Sequence, residues 1–249
     1  MLTRLGRILG RGRPVAKANV DVRLEPPPYR DRHRGASILV LANGPSLNTH
    51  GEAVKRLIEM HHPVTLGANN ISGFMHPSYH AFTNRKRFGS YGHTIDPKRS
   101  RALFSPYMPE TLIRRHYRGP YEEIMYVADN DRPFGIEGGI ITAGCRTVST
   151  LLIGVALVMG ADRVLVAGMD GYQGYLKSGM HTHHYGAEKD HGRSSEAAAQ
   201  EAYLLNVERY NARFLDEIAA YMRAHGMEPF AIVTPTVHLS HYRPVEDFF

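Results

Sequence analysis

Cysteine is scarce: Cys145 is the only one in 249 residues. It cannot close a disulfide within the chain, which excludes the disulfide-stapled secreted class and points to a reducing compartment, the cytoplasm. Long apolar runs are missing as well, since no stretch approaches the ~20 residues needed to cross a bilayer. The opening MLTRLGRILGRGR has an arginine every few residues and lacks the ~7–15-residue apolar stretch of a secretory signal. No internal repeat, no G-x-G-x-x-G and no Walker loop occurs, so neither NAD nor a P-loop nucleotide is indicated. What remains is ordinary globular composition, 43% hydrophobic and 22% charged, which excludes a disordered or fibrous chain. At this length about 70–75% of the unfolded surface can be buried, so no disulfide or metal staple is required.

The formal charge of +6 suggests a nucleic-acid binder until its distribution is read. Residues 1–35 hold nine Lys/Arg against three acids (Asp21, Glu25, Asp31), leaving 21 of each sign in the rest of the chain. The body is neutral, and no nucleic-acid partner is expected. The leader ends in Pro26-Pro27-Pro28, which cannot continue a helix and reads as an extended linker. Ahead of it, Leu2, Leu5, Ile8 and Leu9 fall at helical spacing between arginines. Two readings stay open: a basic amphipathic segment touching the anionic inner membrane face, or a solvated terminus weakened as a helix by Gly6 and Gly10.

From residue 36 onward, strand-like and helix-like runs alternate. Ser37-Ile-Leu-Val-Leu-Ala42 is a continuous apolar run, as expected for a strand covered on both faces. A turn at Asn43-Gly44-Pro45-Ser46 leads to a helix around 51–60, and 63–68, 79–83 and Ile124-Met-Tyr-Val127 read as further strands. Residues 147–159 are apolar on nearly every side and predict a buried helix. Arg163-Val-Leu-Val-Ala167 gives the next strand, and Leu204, Val207, Phe214, Ile218 and Met222 share one face of a helix over 195–225 that Gly226 stops. Phe230–Val233 closes the pattern. Such alternation predicts an α/β fold with a doubly wound, mostly parallel, Rossmann-like sheet and helices on both faces. The stretch 85–122, rich in basic, proline and aromatic residues, reads as a lid or small subdomain on a single catalytic domain spanning 36–249.

In such folds ligands bind beyond the carboxyl ends of the strands. Those ends carry Asn43, Asn69 and Asn84. Each alone is an ordinary turn residue, but together they offer uncharged donors and acceptors around a base or sugar. Gly44 lets the backbone approach closely, and Ser46 adds a hydroxyl. The segment Gly168–His191 concentrates the candidates for chemistry: Asp170, Tyr172, Tyr175, His181, His183, His184, Tyr185 and His191. Histidine suits general-base work near neutral pH. The same cluster with Asp170 is also open to a zinc reading, although HxHH has no established ligand spacing, and to a reading as a solvated polar loop.

The ordered set LANGPSL (41–47), GANN (67–70), FTN (82–84) and TVSTLLIGVALVMGADRVLVAGMDGYQ (147–173) resembles the bacterial sialyltransferases of glycosyltransferase family 42. More broadly it resembles the related group that includes motility-associated flagellin glycosyltransferases and MptE-like pterin diphosphokinases. The resemblance implies a glycosyltransferase-A-like variant of the Rossmann-like sheet. It further implies that Asn43, Gly44 and Ser46 lie against a CMP-sugar donor and that Asn69 and Asn84 contact its sugar, phosphate or cytidine. Thr147 falls near the polar pair that holds the donor, Arg146 sits within one residue of the family's arginine, and Gly168 and Asp170 help position the nucleotide. Tyr172 and Tyr175 match tyrosines that hydrogen-bond the departing phosphate. His191 is the implied general base, with His184 in reserve.

The implied reaction is inverting transfer of a sialic or other nonulosonic acid from CMP to a hydroxyl of a glycan or glycolipid during cell-surface polysaccharide synthesis. No cofactor is expected, and because CMP leaves with a single phosphate no metal is required. Partners beyond donor and acceptor reduce to the membrane face and a second copy of the chain. Two alternatives stay open. One is an MptE-like diphosphokinase using ATP and magnesium, for which Asp170 with Asp129 and Asp131 would have to hold metal. The other is a non-catalytic nucleotide- or glycan-binding module.

Overall fold

A computed structural model describes residues 25–173, 183–185 and 197–249. Ten strands and five helices follow one another in those segments. They are β1 (Ser37–Leu41), α1 (Ser46–His61), β2 (Val64–Ala68), β3 (Tyr79–Phe82), α2 (Arg85–Tyr91), β4 (Arg101–Phe104), α3 (Glu110–His116), β5 (Tyr121–Glu123), β6 (Tyr126–Ala128), β7 (Gly135–Glu137), β8 (Ile140–Ala143), α4 (Val148–Val158), β9 (Arg163–Ala167), α5 (Ala197–Ala224) and β10 (Ala231–Ile232). Seven strands form one sheet in the order β10-β9-β1-β2-β3-β4-β5, and every pairing within it is parallel. Helices flank it, so the architecture is the Rossmann-like α/β sheet that the alternating pattern predicts. A small second sheet, β6-β8-β7, is mixed.

The apolar runs become strands because both faces of the sheet are covered. In β1, Ile38 and Val40 point into a core shared with α4 and α5 (Leu152, Val155, Phe214, Ile218, Met222). Leu39 and Leu41 point the other way, against Val54 and Leu57 of α1 and Val245 near the C-terminal end. Period-two alternation on an all-apolar strand therefore feeds two cores at once. Helix α4 has almost no polar side because it is wedged between the sheet, β8 and α5. The face of α5 marked by Leu204, Val207, Phe214, Ile218 and Met222 is buried. Gly226, at φ +71°, ends that helical run in a conformation glycine adopts without a Cβ penalty.

Three sequence readings change. Ile124–Val127 is not one strand: the chain leaves the main sheet after β5, and only Tyr126 and Val127 enter β6. A four-residue apolar window cannot show where a chain passes from one sheet to another. The stretch 85–122 is built into the fold rather than set over it. It supplies β4 and β5 to the sheet and packs an aromatic cluster of Phe82, Phe88, Phe104 and Tyr117, with the Phe88 and Phe104 rings 4.9 Å apart. Only α2 within it reaches the ligand-binding edge.

The leader boundary also moves. Residues 25–35 are packed, not a free linker: Pro27 is buried and Tyr29 is completely so. The Tyr29 hydroxyl accepts from the Met125 amide at 3.1 Å. Arg32 grips Glu122 through two 2.9 Å hydrogen bonds. The buried aromatic outweighs the extended preference of the prolines, which merely set its entry angle. No helix among the described residues is long and apolar enough to cross a membrane.

Candidate functional site

Strand order reverses at β1: the chain runs outward through β2, β3, β4 and β5 on one side, then returns through α4 to place β9 and β10 on the other. The helices that follow β1 and β9 therefore pack on opposite faces of the sheet, and a ligand-binding crevice is expected at the carboxyl edge of these strands. A cleft of about 280 Å³ occupies that position. The site sits where sheet topology alone would put one.

Its floor is made by two close backbones. Gly168, at φ +74°, accepts a 2.7 Å hydrogen bond from the Gly44 amide and donates to the buried Thr234 hydroxyl at 2.9 Å. A Cβ on Gly44 would run into the Asp170 carboxylate and the Gly168 carbonyl, so this position has room for glycine alone. Asp170 reaches back to the start of α1. It accepts from the Ser46 amide at 2.7 Å and from the Ser46 hydroxyl at 2.5 Å. Helix α1 has no side-chain cap of its own from Pro45, so Asp170 supplies one from 124 residues away, with a full negative charge at the positive helix end.

Helix α4 is different. Thr147 caps it locally by accepting from the Thr150 amide at 3.3 Å, and Thr147, Val148 and Ser149 all border the cleft. The remaining first-turn amides have no partner within the helix. Beside them Arg146 stacks on the Tyr210 ring at 4.5 Å, and no carboxylate lies within ion-pair distance of it among the described residues. On the facing wall, Arg87 of α2 donates to the Tyr185 hydroxyl at 2.8 Å. One helix end is thus filled by the protein's own carboxylate. The other opens into a cleft edged by two arginines.

The three asparagines occupy the same lining but differ in what they already do. The Asn43 amide nitrogen donates to the Ala68 carbonyl at 2.7 Å, and its Oδ1 is buried without a partner. Asn69 is held left-handed at φ +49°, a conformation asparagine tolerates better than most residues. Its carbonyl takes a 2.5 Å hydrogen bond from Nε2 of His80, and its own Oδ1 is also buried and unpartnered. Each such acceptor costs about 1–3 kcal/mol. Asn84 mainly caps α2, accepting from the Lys86 and Arg87 amides at 2.9 and 3.0 Å, so its turn-residue role accounts for most of it.

Burial drives His80, fully enclosed, down to about 4, partly opposed by its hydrogen bond to Asn69. It stays neutral at physiological pH, with the proton on Nε2. Cys145 is pushed up to about 12 by burial, so its thiol does not ionise to a nucleophile near neutrality.

Of the residues expected from sequence, Asn43, Gly44, Asn69, Asn84, Arg146, Thr147, Gly168, Asp170 and Tyr172 line one cleft. Ser46 does not: its hydroxyl is turned to Asp170. His184 packs behind the wall, where its amide donates to the Asn43 carbonyl at 2.8 Å and its Nε2 lies 3.2 Å from the Asn70 carbonyl. Its neighbour His183, stacked on Tyr185, faces the cleft instead. Tyr175, His181 and His191 lie outside the described residues. Among the described residues no group of three His, Cys, Asp or Glu could hold a metal ion.

Sequence reasoning missed a whole wall. Tyr203, Val207, Glu208 and Asn211 of α5 line the cleft, as does His238 beyond β10. Glu208 is buried and accepts from the amides of Tyr172 and Gln173, which fixes the tyrosine loop. Asn211 accepts from the Arg146 amide at 3.3 Å. A signal was present: Glu208 and Asn211, three apart, border the apolar stripe of α5, where a solvated helix face would not place them. Comparison with protein-family models and with curated proteins returns no match.

Proposed function

We propose that this chain is a transferase acting on a CMP-activated sugar, moving a sialic or other nonulosonic acid to a hydroxyl of a glycan or glycolipid. One observation carries the reading. Polar residues scattered from Asn43 to Tyr172 in sequence share a single cleft lining at the strand-order switch, together with Arg146 and the N-terminal end of α4. That end suits one phosphate group: amide donors at a helix start, assisted by a guanidinium. The asparagines offer neutral hydrogen-bonding groups that suit a base or ribose. Asp170 supports the reading indirectly, because its two oxygens already accept from Ser46 and it acts as a brace more than as a metal ligand.

In the proposed reaction the acceptor oxygen bonds to the anomeric carbon while the bond from that carbon to the CMP phosphate breaks, its electron pair remaining on the phosphate. Hydrogen-bond donors aimed at that phosphate stabilise the developing charge. Tyr172, whose amide is held by Glu208, is the described residue for this role, and Tyr175 joins it through the resemblance. An imidazole takes the acceptor proton. His191 is assigned that task by the resemblance, and an anionic membrane face remains the proposed partner of the basic leader.

A thermal-shift screen against CMP, CDP, UDP, GDP and ATP, with and without magnesium, tests the reading. Stabilisation follows RT ln(1 + [L]/Kd), about 2.7 kcal/mol at a hundredfold excess over Kd. The expected result is stabilisation by CMP without magnesium. Stabilisation by ATP with magnesium alone overturns the reading in favour of a diphosphokinase.

A further inference from the structure

The wall supplied by α5 and the segment after β10 enters the donor contacts just described only by bracing Tyr172 and Arg146, and it carries a cleft histidine, His238, anchored from several directions. Residues 234–238 are bolted to the Gly168–Asp170 loop. The Gly168 amide donates to the Thr234 hydroxyl. The Thr236 hydroxyl donates to the Met169 carbonyl at 2.7 Å, and the Val237 amide donates to the Asp170 carbonyl at 2.9 Å. The His238 amide in turn donates to the Thr236 hydroxyl at 3.1 Å. Four hydrogen bonds over five residues fix where the imidazole stands. Its residue is 9% exposed, it borders the cleft, and neither ring nitrogen has a hydrogen-bond partner among the described residues.

We propose that His238, in place of the His191 that the resemblance implies, is a catalytic residue, the general base that receives the acceptor hydroxyl proton from the α5 side of the cleft. The assignment rests on the sugar-transfer reading above. As the acceptor oxygen bonds to the anomeric carbon and the CMP phosphate departs with the electron pair of the broken bond, the hydroxyl proton passes to the bare nitrogen of the neutral ring. The groups around the ring favour that service. Burial holds His238 below the ordinary imidazole value and outweighs the opposing pull of Glu208 and Asp216 on α5, while His241 on its own segment adds to the lowering. His241 itself pairs with Asp216 at 2.9 Å. Asp170 and Tyr172 line the same cleft, on the loop whose Asp170 carbonyl accepts from the Val237 amide. Glu208 is held on the Tyr172 and Gln173 amides, so it faces the imidazolium formed in the reaction as a fixed countercharge.

The test compares the wild-type chain with His238→Asn, His238→Gln and His191→Ala. CMP affinity and melting temperature serve as fold controls, and release of CMP from a CMP-sugar, to water or to a glycan acceptor, is the rate. Expected is CMP binding within about twofold of wild type with turnover reduced about 10²–10⁴-fold in both His238 variants. The wild-type rate should climb with pH through a midpoint below about 6.5, the free imidazole value, and the His238 variants should lose that limb. Undiminished turnover, or an unchanged acid limb, in a His238 variant that still binds CMP overturns the base assignment alone. Loss of turnover in His191→Ala, with both His238 variants still active, likewise overturns it and passes the role to His191. Failure of the wild-type chain to bind CMP, or to release it from any CMP-sugar, overturns the transferase reading and the base with it.

Discussion

Both carboxylate oxygens of Asp170 accept from Ser46, and this pair shows why residue type in a motif does not settle residue role. A serine after Asn-Gly-Pro reads as a ligand contact, yet its hydroxyl is buried against a charge. Ser46→Ala is therefore expected to lower stability by about 1–3 kcal/mol, the range for a charge-assisted buried hydrogen bond, as read from urea unfolding. His80 gives a second prediction at this scale. The folded chain keeps it unprotonated down to about pH 4, whereas an exposed histidine takes up its proton near 6.5. Between those values the unfolded chain binds more protons, so stability rises with pH. It is fully present above about 6.5 and lost on acidification toward 4, by on the order of 3 kcal/mol. Unfolding free energies at about pH 7.5 and about pH 4.5 should show this loss in the wild-type chain and a smaller one in His80→Phe. Equal pH dependence in the two would refute the burial argument.

Two helix starts at the cleft edge end in opposite states, and that contrast belongs to the element scale. Helix α1 begins after Asn-Gly-Pro and α4 after Cys-Arg-Thr, and either could receive an anion. Asp170 fills the first, while the second borders the cleft with a local threonine cap. Thr147→Ala should cost about 1 kcal/mol, the usual value of an N-cap, detected as a lowered melting temperature. A neutral result would mean that solvent or a bound anion caps α4 instead. β1, β2, β3, β9 and β10 were readable because each is a short apolar run, and α5 because it repeats at helical spacing, whereas β5 (Tyr121–Glu123) and β7 (Gly135–Glu137) carry no such run. The break between β5 and β6 was not readable, because Ile124 and Val127 look equally strand-like and only pairing partners separate them.

At the scale of the whole molecule, charge counting grouped residues 25–35 with the basic leader, while packing assigns them to the body. Tyr29 sits in the main core, and Arg32 clasps Glu122 at the far edge of the sheet. Tyr29→Ala should cost about 3–5 kcal/mol, as truncation of a buried aromatic does, measured by denaturant midpoint; a loss under about 1 kcal/mol would restore the linker reading. The cleft itself was half visible from the sequence. Its β1, β2, β3 and β9 contributions sit in strand–turn motifs, where a polar residue after an apolar run stands out. Its α5 and His238 contributions are single polar residues in segments whose pattern speaks only of solvent and packing.

Hydrophobic periodicity and turn chemistry are local, so they were enough for the strands at the centre of the sheet, the parallel α/β class and the strand ends where a ligand could sit. Whether Ser46 meets ligand or carboxylate, which imidazole enters the cleft, and where β5 hands over to β6 depend on contacts between residues dozens to more than a hundred positions apart. Those contacts exist only once β9 has been laid beside β1 and α5 packed across the sheet, and no window along the chain contains both partners.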